Sequence, residues 1–482
     1  MTALTRYLRS LLPAKPGERK LALLLYTLLT LMVLADWVGK VGADSLFVKR
    51  LGVQYIPAMY IVTPIAMLAT SALLFALVDR VRRRALLFYY CLFVAVASLA
   101  IQAAVPLGGL VFPVAYVFAH GVKETIYLLF WVYAGNLYDN EQSSRLFPFF
   151  AGAILVGKIL GGFLAVGLAD VIHAENFIGA QAVGFVACLA LIGVFRNWFP
   201  EGHGAQAAKV HRPSGLRASL RDSVEGYRAV ASDRLMRIFG AGVFLWYLLM
   251  QIGSYLYLVG LDVSSMLGSA RASEDAFGAL YAGVYTSSSI VALLIQTFVS
   301  GAMIRRLGVG AVLFVFPLWY LGSFSGALVA LNFITAVAIQ LGERIVVPAI
   351  HRPATELVYG QVPFAIRPRS RTFLSGGVNA LGNLAAALVL MGASFAGFGS
   401  SVVLGMCAAL SAWFVANTWS LRRALGRRIL DNLASPDEEL RRNAAQMLAS
   451  ERKTVGLSGL EKVLPHAQPD VEPVVREALA RA

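Results

Sequence analysis

The chain has 482 residues, 58% of them hydrophobic and 14% charged, with 42 Lys+Arg against 27 Asp+Glu for a formal net charge of +15, and a mean hydropathy of +0.68. Soluble domains average about 45–50% apolar and about 25% charged residues, so a water-soluble enzyme is excluded. A spanning helix uses about 20 apolar residues and the length leaves room for about a dozen, which makes the fold class an all-α polytopic membrane protein.

The N-terminal segment 1–20 is basic, with Arg6, Arg9, Lys15, Arg19 and Lys20, and no cleavage-site pattern follows a short apolar core. It reads as a cytoplasmic lead into an uncleaved helix. Hydrophobic runs then fall near residues 21–41, 55–78, 85–105, 111–136, 147–168, 178–198, 238–259, 277–303, 309–331, 334–354, 372–395 and 401–419. Lys and Arg collect in cytoplasmic loops. Here they precede the first run, follow the second (Arg80, Arg82, Arg83, Arg84), the fourth (Arg145), the eighth (Arg305, Arg306) and the tenth (Arg367, Arg369, Arg371). The opposite loops offer Lys49, Arg50 and Arg271, so both termini are expected in the cytoplasm. The break at 199–237 carries Lys209, Arg212, Arg217, Arg221, Arg228 and Arg234 and divides a six-helix bundle at 21–198 from a second at 238–420. Cys91, Cys188 and Cys407 each lie inside an apolar run and read as small core hydrophobes. The six His are scattered without ligand spacing, and neither a metal site nor a cofactor is expected.

Ionisable groups at mid-helix cost roughly 2.5–3.5 kcal/mol even on lenient insertion scales, so they face a cavity or a partner. Asp36, Lys40 and Asp44 fall four apart on the first helix, hence on one face. Lys123 and Glu124 sit in the fourth helix and are echoed by Glu343 and Arg344 in the tenth. Lys158 lies early in the fifth, beside Gly157. Lys40, Lys123, Lys158 and Arg344 would attract an anion, since dehydrated phosphate or carboxylate needs charge-assisted donors. Asp36, Asp44, Glu124 and Glu343 would balance them, gate the path or carry a proton. The same groups also fit static interhelical ion pairs. Tyr127, Phe130, Trp131 and Tyr133 could stack on a ring or simply pack. Two parallel six-helix repeats around a midplane site are the architecture of the major facilitator fold.

Three stretches together resemble the ATP/ADP translocases of plastids and obligate intracellular bacteria. They are Lys40-Val41-Gly42-Ala43-Asp44 leading to Gly52-Val53-Gln54-Tyr55-Ile56-Pro57, then Leu129-Phe130-Trp131 through Asn136 to Arg145-Leu146-Phe147-Pro148, and Pro353-Ala354-Thr355-Glu356-Leu357-Val358-Tyr359. The likeness runs in order through most of residues 21–419. It implies a nucleotide-type transporter in which Trp131 and Asn136 join the basic residues at the substrate and Glu356 joins the gating acids. Two cations of that pattern are replaced here: the lysine before the acidic residue is Ala43, and the Asp-Pro-Thr-Lys-Glu run reads Arg352-Pro353-Ala354-Thr355-Glu356. The implied substrate is therefore an anionic metabolite of the nucleotide or organic-phosphate class rather than strictly ATP and ADP, and the implied location is a bacterial inner membrane.

From residue 421 the composition turns hydrophilic. Ser435-Pro436-Asp437-Glu438 reads as a capping box with Pro at the first helical position, and Leu440, Ala444, Met447 and Leu448 make one apolar face. A similar pattern recurs from Asp470 through Val474, Ala478 and Leu479. This is a HEAT-like fragment of two units, fewer than the roughly three a solenoid needs, so it must dock on something or lie on anionic lipid. The leading expectation is a secondary transporter of a small anion, in contact with anionic lipids of the inner leaflet and with no nucleic-acid partner. The alternative is a non-transporting membrane sensor or scaffold whose tail recruits a cytoplasmic protein partner.

Overall fold

A computed structural model describes residues 15, 17–78, 81–135, 137–138, 140–199, 225–228, 230–264, 270–363, 367–455, 457–466 and 468–480. The described residues are helical throughout, with turns between and no strand. Ten helices among them are long and apolar enough to cross a membrane. They are α1 (Arg19–Leu51), α3 (Arg83–Leu107), α5 (Phe149–Ala169), α6 (Ala174–Val194), α7 (Arg234–Ser264), α8 (Ser273–Leu307), α9 (Val309–Val329), α10 (Phe333–Tyr359), α11 (Phe373–Phe395) and α12 (Ser400–Leu433). Two further helices fall on the second and fourth of the expected runs: α2 (Ile56–Val78), 23 residues long, and α4 (Val111–Ala134), 24 residues long. The chain is an integral multi-pass membrane protein. The loop residues Lys209, Arg212, Arg217 and Arg221, and Arg6 and Arg9 of the N-terminus, lie outside the described residues.

The chain divides into two compact units, residues 1–210 with 261–289 and residues 211–260 with 290–482. In the first, α1 is the central helix: from Leu28 to Val48 nearly every residue is buried, and it packs most extensively on α5 and α6. Small residues make that approach possible. A Cβ on Gly157 would lie 2.8 Å from the Thr30 carbonyl oxygen, and one on Gly161 would lie 2.9 Å from that of Leu34, so the pair four residues apart seats α5 directly on the α1 backbone. That seating fixes Lys158, next to Gly157, alongside α1. The first unit also contains the end of α7 and the first half of α8.

The second unit holds most of α7, the rest of α8, α9 to α12, and the tail. Here α12 runs past its expected end near residue 419 to Leu433. Its extension stays helical because Leu421, Leu425, Ile429 and Leu433 form a buried stripe. Three short helices follow: α13 (Glu438–Val455), α14 (Leu457–Val463) and α15 (Glu472–Ala480). The N-cap of α13 differs from the expected box. Asp437 itself accepts from the Glu439 and Leu440 N–H groups at 2.9 and 3.4 Å, while Ser435 Oγ accepts from the Asp437 N–H at 3.2 Å. An Asp immediately before the first turn reaches those orphan donors directly, which moves the helix start beyond Pro436. The apolar face of α13 is buried: Ala444, Met447 and Leu448 share one core with Val309, Val312, Ala354 and Val358. All three cysteines are buried and free.

Candidate functional site

Within the first unit, one helical turn of α1, one of α4 and the first half of α8 bring four polar groups together. Lys40 Nζ lies 2.5 Å from Asp44 Oδ2, donates to the Tyr281 hydroxyl at 3.0 Å, and sits 3.2 Å from His120 Nε2. His120 in turn faces Asp44 Oδ1 at 3.1 Å. Lys40 and Asp44 are 7% and 2% exposed, so this cluster is removed from bulk water. Aromatic rings flank it: Trp37 meets Tyr285 at a tilt of 41° with centroids 3.6 Å apart, and Tyr116 stacks on His120 at 4.2 Å.

Asp36 lies one turn before Lys40, and its role differs from that of Asp44. It is 3% exposed, and its Oδ1 has no hydrogen-bond partner among the described residues. Lys123, Lys40, Lys158 and Glu124 are all within electrostatic range of it. On α4, Lys123 pairs with its neighbour Glu124 at 2.9 Å, and the two side chains are 35% and 52% exposed. A half-exposed carboxylate at mid-helix cannot be left in hydrocarbon without a large cost, so this face of α4 borders water. The first unit therefore gathers Asp36, Lys40, Asp44, Lys123, Glu124 and Lys158 on three neighbouring helices, equal in acids and bases.

The second unit holds the Glu343–Arg344 pair. These residues lie on a π-helical stretch of α10, Gly342–His351, interrupted by Pro348; π-bulges recur at functional sites because they turn side chains out of helical register. Glu343 Oε1 is 3.6 Å from Arg344 Nη1, and Glu343 Oε2 accepts from Ser254 Oγ of α7 at 2.6 Å. Gln340 lies against the pair: in one amide orientation it donates to Glu343 Oε2 at 3.3 Å, and in the other it accepts from Arg344 Nε at 2.7 Å.

The other expected residues lie elsewhere. Trp131 is half-buried and packs edge-on against Phe130 and Phe147, with centroids at 5.5 and 5.1 Å, as a flank of the first core. Glu356 is exposed and pairs with Arg371 at 2.9 Å. Asn136 lies outside the described residues. Four residues that the sequence did not single out join the clusters: His120, Tyr281, Ser254 and Gln340. Only His120 carried a local signal, lying three residues before Lys123 on the same helix.

A second set of charges ties together the helix ends remote from the Arg-rich loops. Lys49 pairs with Asp262 at 2.6 Å. Arg50 pairs with Glu274, which is 1% exposed, and reaches Glu175 at 3.5 Å. His173 Nδ1 lies 2.8 Å from Asp275, whose other oxygen accepts the Ala174 N–H at 2.7 Å. His173 holds φ 59, the left-handed region that non-glycine residues seldom adopt. These contacts fasten the end of α7 and the start of α8 to α1 and to the α5–α6 hairpin.

No protein-family model and no curated protein matches the chain. Solved structures do. The nucleoside transporter NupG superposes with a TM-score of 0.56 at 16% identity, over 84% of this chain and 98% of that one. A POT family transporter in complex with 5-aminolevulinic acid gives 0.53 at 14% identity over 84% and 96%, and the POT family transporter PepTSo 0.52 at 12% over 84% and 98%. At such identities the likeness is one of fold: the chain shares the helical fold of these solved transporters.

Proposed function

We propose that the chain is a secondary transporter that carries a small anionic metabolite, of the nucleotide or organic-phosphate class, by alternating access. The observation that carries this reading is the cluster of ionisable side chains kept at mid-helix on α1, α4 and α5 of the first unit. Each such group costs several kcal/mol in hydrocarbon unless it is paired or hydrated, and mutual pairing does not account for all six, since Asp36 Oδ1 has no hydrogen bond among the described residues. In this reading Lys123, Lys158 and Lys40 hold the anion on the first unit, and Arg344 is the basic residue that the second unit offers. Glu124 and Glu343 release their bases as substrate arrives, and Asp44 holds Lys40 until then. The contacts of Lys49, Arg50 and His173 with the α7–α8 segment form a gate on the side remote from the Arg-rich loops, which the positive-inside rule makes the extracytoplasmic side.

The order of the matching stretches supports placement near the ATP/ADP translocases, with Ala43 and Thr355 marking a different substrate. We also read the location as an inner membrane, and α13–α15 as HEAT-like on the recurrence of their apolar pattern. The scaffold alternative is weakened by the tail, whose main apolar face is already covered by the chain's own helices.

The test is uptake by proteoliposomes of a radiolabelled panel of nucleoside mono-, di- and triphosphates, sugar phosphates and organic acids. Wild type should accumulate at least one class, and Lys123→Ala and Glu343→Ala should each lose it while still folding. Failure to move any panel member, in either direction and with or without counter-substrate, refutes transport of this class.

A further inference from the structure

The tail meets the second unit along a seam that is polar as well as apolar. Glu451, 1% exposed, reaches from α13 to accept the Gly310 N–H at 2.6 Å. Asn443 Nδ2 donates to the Gly360 carbonyl at 3.1 Å, and Arg367 pairs with Glu439 at 2.8 Å. Beside these contacts the seam stays open, leaving a cavity of about 460 Å³. One wall is α13, with Asn443, Gln446 and Met447; the other is the end of α8 and its turn into α9, with Ile304, Arg305 and Val309, together with Leu357 of α10.

Two features say what would fill it. The first is charge: Arg305 is exposed and makes no hydrogen bond or ion pair among the described residues, and the tail offers amides rather than a carboxylate on that side. The second is depth. At 35 residues, α8 is about 52 Å long, more than the roughly 30 Å of hydrocarbon. Its last turns nonetheless present Phe298 and Leu307, 73% and 57% exposed. A side chain such as Phe298 suits lipid, and a pair of arginines two turns further on is the pattern of a helix reaching the headgroups.

We propose that this cavity binds one anionic phospholipid, its phosphodiester facing Arg305 and the amides of Asn443 and Gln446, and its acyl stems lying on Ile304, Val309, Leu357 and Met447. Because tail and bundle each supply a wall, the lipid ties α13 to α8, and the docking of the tail depends on the composition of the leaflet. The inference does not rest on what the bundle carries.

The experiment uses the full chain in nanodiscs of phosphatidylcholine with and without phosphatidylglycerol. Native mass spectrometry counts retained phosphatidylglycerol, and amide exchange follows α13. Wild type should retain the anionic lipid and exchange more slowly in α13 when it is present. Arg305→Gln should weaken retention about five-fold, equivalent to the ~1 kcal/mol of one basic residue near an anionic surface. Gln446→Glu, on the exposed side of α13, should weaken it likewise without touching a membrane helix. Arg423→Gln, an exposed arginine stacked over Trp419 away from the cavity, should not. Equal losses from Arg305→Gln and Arg423→Gln would mean generic surface attraction and overturn the site. Protection of α13 by inorganic phosphate in phosphatidylcholine alone would overturn the lipid as occupant, and exchange in α13 indifferent to phosphatidylglycerol would overturn the coupling.

Discussion

Replacing Lys40 by Met keeps the stem of the side chain and removes its charge. Asp44, 2% exposed, then loses the ammonium at 2.5 Å and keeps only His120 at 3.1 Å, while the Tyr281 hydroxyl loses a donor at 3.0 Å. Removing one partner of a buried pair costs about 3–5 kcal/mol. The His120 contact keeps the expected cost near the lower limit, about 3 kcal/mol. Asp44→Asn, which strands the ammonium instead, should cost a similar amount. The double variant removes both charges, so its loss should be smaller than the sum of the single losses by about 2 kcal/mol or more. In a unit of this size, 3 kcal/mol lowers the melting temperature by about 6–12 °C. The shift is readable from tryptophan fluorescence of purified protein, since Trp37 packs against Tyr285 beside the cluster. Strictly additive losses in the double-mutant cycle would refute the claim that Lys40 and Asp44 form a desolvated pair, and with it the picture of a held cation awaiting substrate.

Three further outcomes are expected. Gly157→Ala, whose methyl would meet the Thr30 carbonyl and Val33 at 2.8 Å, should cost about 1–3 kcal/mol, whereas Gly152→Ala, with open space around it, should be neutral or slightly stabilising; equal melting shifts would contradict the close seating of α5 on α1. A cysteine pair at Lys49 and Asp262, joined by a short thiol cross-linker, should abolish uptake of whichever panel member the wild type carries and recover it on cleavage of the linker; full uptake while cross-linked would show that this gate does not open in the cycle. Glu451→Ala removes a charged acceptor from a buried N–H, worth about 2 kcal/mol, and should speed amide exchange in α13 while leaving α3 and α6 unchanged; unaltered exchange in α13 would mean that Glu451 does not hold the tail.

What the sequence disclosed depended on the range of the interaction. The spans were legible because about 20 apolar residues are a local requirement of hydrocarbon, and α12 outran its reading because hydropathy falls at Arg422 while the buried stripe Leu421, Leu425, Ile429, Leu433 continues the helix on packing alone. The one-turn ladder of Asp36, Lys40 and Asp44 foretold the Lys40–Asp44 pair, yet nothing local marked Tyr281, 241 residues away. His120 was overlooked because its spacing was weighed against metal ligands rather than against the charged pair one turn on. The amphipathic face of the tail was legible, but its cover was not, since docking is a tertiary event.

The echo of Lys123-Glu124 by Glu343-Arg344 suggests a symmetric site, and here the structure adds an asymmetry. No Lys, Arg, His, Asp or Glu lies between Arg237 and Asp262 of α7, the helix that repeats α1, so the acid–base ladder of the first bundle has no counterpart in the second. The second unit supplies neutral donors instead, Ser254 and Gln340, around a single ion pair. Ionisable side chains at mid-helix are thus concentrated on α1, α4 and α5, and the α10 pair is flanked by neutral groups that can rearrange without stranding a charge. In the proposed transporter, ionic grip on the substrate belongs to the first unit, and in the second Gln340 can take up either member of the Glu343–Arg344 pair as it separates.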